Sequence, residues 1–459
     1  MRYDLVVIGT GPGGHGAAIQ AAKLGKKVAV VEKRQVVGGS AVNTGTIPSK
    51  TFREAAMYLT GYLQREMYGL SYRVKDNITI DDLTFRCEQI IRDSIDVLKD
   101  QFARNDVELV FGEASFVQPH RLRIQMADGS YEELEADYFV IATGSTPAHS
   151  MNVPVNQKTI VDSDGILSLD RIPRRLTVVG AGAIGIEYAS VFAILGVKVT
   201  LVDMREDILE FIDHEILQAL IYNMRQNGVT FRLGEEVTEV VEKGNRVVAH
   251  TKSRKTIRSE FLLYTVGRVG ATEGLNLEAL GLEVDRRERI PVNHHYQSTV
   301  EHIYAVGDVI GAPALASTSM EQGRLATSHA FGLPTQVSNE LLPIGIYTVP
   351  EISLVGQTEE TLTRNEVPYE FGVARYRETA RGKIIGDPTG MLKLLFHSES
   401  RKLLGVHIIG ERASELVHIG QVAMATGAGL DFFVDNVFNY PTLAECYKVA
   451  ALDAFNKLA

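Results

Sequence analysis

Apolar residues in this chain gather into short runs that stop at or near a glycine or an acidic residue. Leu5–Ile8, Lys27–Val31, Tyr138–Ala142, Leu176–Val179, Val197–Val202, Leu262–Val266 and Ile303–Val306 all follow that design. Such runs predict strands covered on both faces, the habit of a parallel sheet with helical crossovers. Helical spacing follows two of them, from Ala17 to Leu24 and from about Glu187 to Leu195. A longer helical region spans Phe52 to about Arg104, broken only by Gly61 and Gly69. The segments Glu108–Val117, Arg121–Met126 and Glu132–Ala136, with Asp128-Gly129 as a turn, predict antiparallel strands. A connector rich in proline and aspartate covers Pro147–Pro173. From Pro343 onward, strands such as Met391–Phe396 and Leu403–Ile409 alternate with helices, an α+β pattern without a phosphate loop.

One unit occurs twice. Leu5–Ile8 leads into Gly9-Thr10-Gly11-Pro12-Gly13-Gly14, a helix, and a second strand ending at Glu32. Leu176–Val179 leads into Gly180-Ala181-Gly182-Ala183-Ile184-Gly185, a helix, and a strand ending at Asp203. In each loop the first glycine (Gly9, Gly180) permits the turn after the strand. The second (Gly11, Gly182) lets the backbone approach a pyrophosphate, and the third (Gly14, Gly185) lets helix and strand pack closely. The phosphates then meet the positive end of the following helix, and Glu32 or Asp203 accepts from a ribose diol. Two complete fingerprints predict two dinucleotide sites.

Composition narrows the class. At 459 residues the chain exceeds one hydrophobic core and divides into two or three domains. Its 47 basic and 57 acidic residues leave a net charge of −10, which argues against a nucleic-acid partner. Cys87 and Cys446 are its only cysteines, too few for a secreted disulfide scaffold, so they are expected as thiols. No basic-then-apolar leader precedes Tyr3, and no stretch reaches the ~18 apolar residues of a membrane helix. A cytoplasmic protein is expected, with no membrane partner. No histidine, cysteine and carboxylate cluster has metal-ligand spacing, so no metal is expected.

The segment Gly38-Gly39-Ser40-Ala41-Val42-Asn43-Thr44-Gly45-Thr46-Ile47-Pro48-Ser49-Lys50 carries a family resemblance. It resembles the Gly-Gly-Thr-Cys-x-Asn-x-Gly-Cys-x-Pro-Ser-Lys motif of the FAD- and NAD(P)-dependent disulfide oxidoreductases. Ala142-Thr143-Gly144, Gly267-Arg268, Ala305-Val306-Gly307-Asp308 and Pro441-Thr442-Leu443-Ala444-Glu445 recur in the family's order. The resemblance implies an α/β chain with two Rossmann-like dinucleotide-binding domains and a C-terminal α+β dimerisation domain. The FAD domain is expected over residues 1–150 and 268–340, the NAD(P) domain over 151–267, and the interface domain over 341–459. It implies FAD at the first loop, with Lys33, Gly38, Gly39, Ala114, Ala142, Thr143, Gly144, Gly307, Asp308 and Ala316 as further contacts. NAD and NADP are implied as substrates at the second loop, with Gly267 nearby. Lys50 is implied to approach the flavin and to pair with Glu187. A homodimer, or a higher homo-oligomer, is implied because the Glu445 segment completes the partner's active site.

The departures from the motif decide the chemistry. Ala41 and Thr46 stand where the family has its two redox cysteines, and Tyr440 replaces the acid–base histidine. A methyl group and an alcohol carry no electrons, and a phenol of ordinary pKa ≈ 10 is a poor base at neutral pH. Neither remaining cysteine is expected to replace the disulfide, with Cys87 placed far from the flavin motif. Cysteine-free members of the family share Gly-Thr-Ile-Pro-Ser-Lys and Asn-Tyr-Pro-Thr with this chain. The resemblance therefore implies hydride exchange between NADPH and NAD⁺ through FAD at one nicotinamide site. Arg205, two residues past Asp203, is expected to offset the repulsion between Asp203 and a 2′-phosphate. Two alternatives stay open. One is a diaphorase or oxidase passing electrons to quinone or O₂, and the other is a flavin-bearing redox sensor without turnover.

Overall fold

The computed structural model describes residues 2–244, 246–335 and 341–458. Its first sheet has seven strands. β1 (Arg2–Ile8), β2 (Val28–Glu32) and β3 (Glu108–Phe111) run parallel, and β6 (Tyr131–Ile141) flanks β1 on the other side. Residues 131–135 of β6 also pair with β5 (Arg121–Gln125), which pairs in turn with β4 (Glu113–Gln118), both antiparallel. The upper part of β6 pairs with Ile303–Ala305 in parallel. The sequence reading split β6 into two strands. It is continuous because β5 pairs along residues 131–135 and β1 takes over from Glu135 to Ile141, so a ladder partner runs its whole length.

The second sheet is wholly parallel. Thr230–Arg232, Lys198–Val202, Arg175–Val179, Phe261–Tyr264 and Ile160–Val161 lie side by side in that order. An antiparallel meander from Val237 to Ser259 is inserted before its fourth strand. The chain passes between the two sheets on a ribbon in which Ser145–Pro147 pairs with Arg268–Gly270. A third, antiparallel sheet holds Ile344–Ile346, Ile352–Gly356, Leu403–Ile409, Met391–His397 and Tyr369–Arg375. The helices Ala413–Ala425 and Glu445–Leu458 pack on it.

Helix α1 (Pro12–Lys23) follows β1 directly. Helix α2 (Gly39–Asn43) and helix α3 (Thr46–Thr60) then fold the Gly38–Lys50 segment into two short turns of helix. The helical region from Phe52 to about Arg104 is interrupted at the two glycines, Gly61 and Gly69, which cap the helices before them. α3 stops at Gly61, which adopts a left-handed φ of +60°, and a long helix resumes over Ile80–Ala103. A reciprocal cap between Thr79 and Asp82 starts it. The helix after the second loop begins at Ala183, earlier than Glu187, because Gly182 itself is the extended N-cap.

One hydrophobic core is shared by all three parts. Phe52 and Ile80 meet Ile186 and Phe192 from the second unit, and Ile346 and Met391 from the C-terminal sheet. A buried ion cluster adds to that junction. The Lys393 ammonium, on the C-terminal sheet, lies 3.1 Å from Asp213 and 3.2 Å from Glu215, and also pairs with Glu359. Lys393 and Asp213 are both fully buried. Among the described residues no helix is long and apolar enough to cross a membrane.

Candidate functional site

The two glycine loops are built alike to the atom. In the first, the Thr10 N–H donates to Glu32 Oε2 at 3.0 Å and the Arg34 N–H donates to Oε1 at 3.0 Å. In the second, the Ala181 N–H donates to Asp203 Oδ2 at 2.7 Å and the Arg205 N–H donates to Oδ1 at 2.9 Å. Both carboxylates are buried, and each stands at the end of the strand next to its loop. Gly9 and Gly180 share a left-handed φ near +104° (+103° and +104°). A Cβ on Gly14 would fall 1.9 Å from the Gly9 carbonyl oxygen, and one on Gly185 would fall 1.9 Å from that of Gly180. Only hydrogen fits there, so each helix starts tight against its strand with free N–H groups facing outward.

The loops differ in what surrounds them. Gly38 and Gly39 lie over the first. The Gly38 N–H donates to the Thr10 hydroxyl at 3.0 Å, and a Cβ on Gly39 would come within 2.9 Å of Gly11 Cα. Helix Ala316–Ala330 crosses α1 closely enough that a Cβ on Gly323 would meet the Gly13 carbonyl at 2.1 Å. Around the second loop, Gly182 and Gly267 have no neighbour within 4 Å of an added Cβ.

Near the first loop, the Thr143 hydroxyl, beside Gly9, and the Thr44 hydroxyl are buried without hydrogen-bond partners among the described residues. Ala114 and Ala142 are buried nearby in the same unit, and Gly144 turns with a φ of +73°. Gly307 ends the run at Ile303–Ala305 and donates to Gln322 at 2.8 Å. Asp308 accepts from the Ser145 hydroxyl at 2.8 Å, and that hydroxyl accepts from Arg268 Nε at 2.8 Å. Arg268 also reaches Ser163 at 3.1 Å, so it bridges both connections between the sheets. Lys33 turns away to an exposed ion pair with Glu113 at 2.6 Å. Orphaned hydroxyls, a cradle with no room for a Cβ, and an acidic residue for a ribose fit FAD at this loop.

At the second loop Arg205 grips Asp203 with two nitrogens, Nε to Oδ1 at 3.0 Å and Nη2 to Oδ2 at 2.8 Å. Burial pushes the Asp203 carboxyl up. The bonds from Arg205 and Ala181 outweigh it and hold the group below its ordinary range.

Lys50, on α3, meets Glu187, on the helix of the second unit, at 2.7 Å. Both side chains are largely enclosed. The other Glu187 oxygen accepts the Tyr347 N–H at 2.8 Å, and the Lys50 ammonium sits 4.8 Å from the Tyr347 ring centre. Sequence reasoning passed over Tyr347. The only signal was a Tyr-Thr-Val-Pro-Glu stretch just after the texture changes at Pro343.

Among the described residues, no hydrogen bond or ion pair joins the C-terminal candidates to Lys50 or Glu187. Tyr440 is 67% exposed, and its hydroxyl makes no hydrogen bond among the described residues. Glu445 opens the last helix, with Oε2 buried and unpartnered. The expected distance of Cys87 from the flavin motif is corrected: its thiol donates to the Pro48 carbonyl at 3.4 Å. The cause is helix Ile80–Ala103 folding back onto α3. Burial nevertheless pushes the thiols up, to about 11 for Cys87 and about 12 for Cys446.

Residues 3–323 match the family described as pyridine nucleotide-disulphide oxidoreductase, and residues 342–451 match that family's dimerisation domain. The chain belongs to the pyridine nucleotide-disulphide oxidoreductase family. It is 54% identical over 458 residues to a soluble pyridine nucleotide transhydrogenase of Mycobacterium bovis, covering 100% of this chain and 98% of the relative. A soluble pyridine nucleotide transhydrogenase of Yersinia pestis is 44% identical over 462 residues, covering 100% of this chain and 99% of the relative. Among solved structures, LpdA from Mycobacterium tuberculosis superimposes with a TM-score of 0.90 at 26% identity, covering 98% of this chain and 99% of LpdA. The HOCl-induced flavoprotein disulfide reductase RclA from Escherichia coli shares the fold, with a TM-score of 0.88 at 24% identity over 98% of this chain and 99% of RclA. The family consists of FAD-dependent oxidoreductases that use pyridine nucleotides.

Proposed function

We propose that this family member is an FAD-dependent transhydrogenase that moves hydride between NADPH and NAD⁺ at one nicotinamide site. The observation that carries this reading is the Lys50–Glu187 contact. It is a complete flavin-side ion pair in a chain whose Ala41 and Thr46 cannot form a redox disulfide. The full-length likeness to two soluble transhydrogenases supports the same reading.

FAD, when bound, supplies the two-electron acceptor and donor. Glu32 would hold its ribose, the start of α1 would meet its pyrophosphate, and Asp308 would hold its sugar-alcohol chain. Lys50 presents a fixed positive charge that favours electron uptake, and Glu187 keeps the ammonium in place. At the second loop Asp203 takes the bare ribose of NAD(H), while Arg205 neutralises it toward the 2′-phosphate of NADP(H). NADPH binds, is oxidised and leaves; NAD⁺ enters the same site and departs reduced, so ping-pong kinetics follow. The domain divisions are residues 1–150 with 268–340, residues 151–267, and residues 341–459. The match to a dimerisation domain supports a homodimer in which Tyr440 and the orphaned Glu445 carboxylate face the other subunit.

The test is an anaerobic two-step reaction. Purified protein is reduced with NADPH, separated from nucleotide, and mixed with NAD⁺. Reoxidation with NADH formed one-for-one is expected. Discharge to quinone or O₂ but not to NAD⁺ would replace this reading with a diaphorase or oxidase, and absence of reduction by either nucleotide would leave a sensor.

A further inference from the structure

The segment Tyr347–Glu351 touches two helices at matching positions. Toward α3, the Tyr347 ring faces Lys50, while Arg53 donates to the Thr348 carbonyl at 2.8 Å and pairs with Glu351 at 3.3 Å. Toward helix Ala183–Ile194, the Tyr347 N–H holds Glu187 and the Val349 N–H donates to the Ser190 hydroxyl at 3.1 Å. Lys50 and Arg53, like Glu187 and Ser190, are three residues apart and so share one helix face. The five-residue segment thus grips the reactive pair and the next turn of each helix. Its rear is anchored as well, since Glu351 accepts from Ser414 at 3.1 Å. The ring itself lies against Gly345, where an added Cβ would come within 3.2 Å of it.

We propose that Tyr347 is the positioning residue for Lys50, its ring face holding the ammonium while its backbone N–H holds the paired carboxylate. This rests on the reading of Lys50 as the flavin-facing cation. An ammonium over an aromatic face keeps its charge and loses its freedom to swing toward water. Through this one residue the C-terminal unit sets the charge that the flavin meets.

The experiment compares Tyr347→Phe, Tyr347→Leu, Gly345→Ala and Lys50→Met as FAD-loaded proteins. Flavin midpoint potential, NADPH reduction rate and thermal midpoint are read for each. Phe keeps the ring face but loses the hydroxyl, so potential and rate stay at the wild-type value even where stability falls. Leu keeps the bulk and the backbone donor but removes the ring. The reduced-to-oxidised ratio at fixed potential is expected to fall about five-fold, ~20 mV for a two-electron couple, with a reduction rate lower by about three- to ten-fold. Gly345→Ala displaces the ring without removing it and shifts both readouts the same way; it decides the matter if the Leu protein does not fold. Wild-type values in Leu and Gly345→Ala beside a shifted Lys50→Met overturn the role of Tyr347 alone. An unshifted Lys50→Met overturns the flavin-facing reading and the role of Tyr347 with it.

Discussion

Arg205 binds Asp203 through two guanidinium nitrogens, at 3.0 and 2.8 Å, on the rim of the second nucleotide loop. The carboxylate is 5% exposed and the arginine side chain 51%, so the acid is fixed and the base is free to move outward. Arg205→Ala is expected to raise KM for NADPH about five- to ten-fold while changing KM for NADH by less than about two-fold. The magnitude is that of a charge-assisted bond discounted for exposure. Steady-state kinetics with each nucleotide checks it; equal effects on both would remove Arg205 from the discrimination.

Removing the carboxylate opposite Lys50 tests the centre directly. Glu187→Gln leaves the Tyr347 N–H an acceptor but no longer opposes the ammonium with a charge. Flavin reduction by NADPH should slow at least about ten-fold, with KM changed far less. Stopped-flow absorbance separates the two.

The twin glycines give a paired prediction. Gly185→Ala places a methyl group 1.9 Å from the Gly180 carbonyl and should cost the second unit its fold, with soluble yield and thermal midpoint both falling. Gly182→Ala meets nothing within 4 Å in the chain. It should fold normally and weaken nucleotide binding, measured by titration.

Lys393→Met should destabilise the protein by about 3–5 kcal/mol, because it leaves Asp213 charged and buried without its cation. Adding Asp213→Asn should recover much of that loss. Burial opposes the Lys393 charge, yet Asp213 and Glu359 hold its pKa above the ordinary 10.5. Its stabilisation is therefore complete below pH 10.5 and is lost as pH rises through the raised folded value. Urea midpoints measured from pH 9 upward should show no Lys393-dependent fall until about pH 10.5 and then drop more steeply in the wild type than in Lys393→Met.

Cys87→Ala combined with Cys446→Ala should leave transhydrogenation within about two-fold of wild type, since both thiols are held protonated by burial. A loss of turnover beyond the accompanying loss of stability would restore a thiol to the electron path.

Much of this was legible in the chain. The positions of Glu32 and Asp203 against their glycine loops were readable because strand, glycine loop, helix and acid follow within one short unit. Lys50 and Glu187 could be paired only through a family resemblance, since they are 137 positions apart and nothing local joins them. Tyr347 was not legible at all, because its contribution is a ring face and a backbone N–H, which leave no mark on residue type. Cys87 misled for a related reason. Helix spacing places a thiol along its own axis and says nothing of which neighbour that axis folds against.

The two nucleotide loops share one atomic design, and only their surroundings differ. Gly38 and Gly39 close over the first loop, while Gly182 and Gly267 face open space. On the proposed reading, a guest under the first loop would have to displace Gly38 and Gly39 to leave. A guest at the second would leave by unbinding alone, as the proposed one-site scheme requires twice in every cycle. On that reading, one fold builds a resident and a visitor from the same parts, and the open second loop spares the visitor any protein motion on its way out.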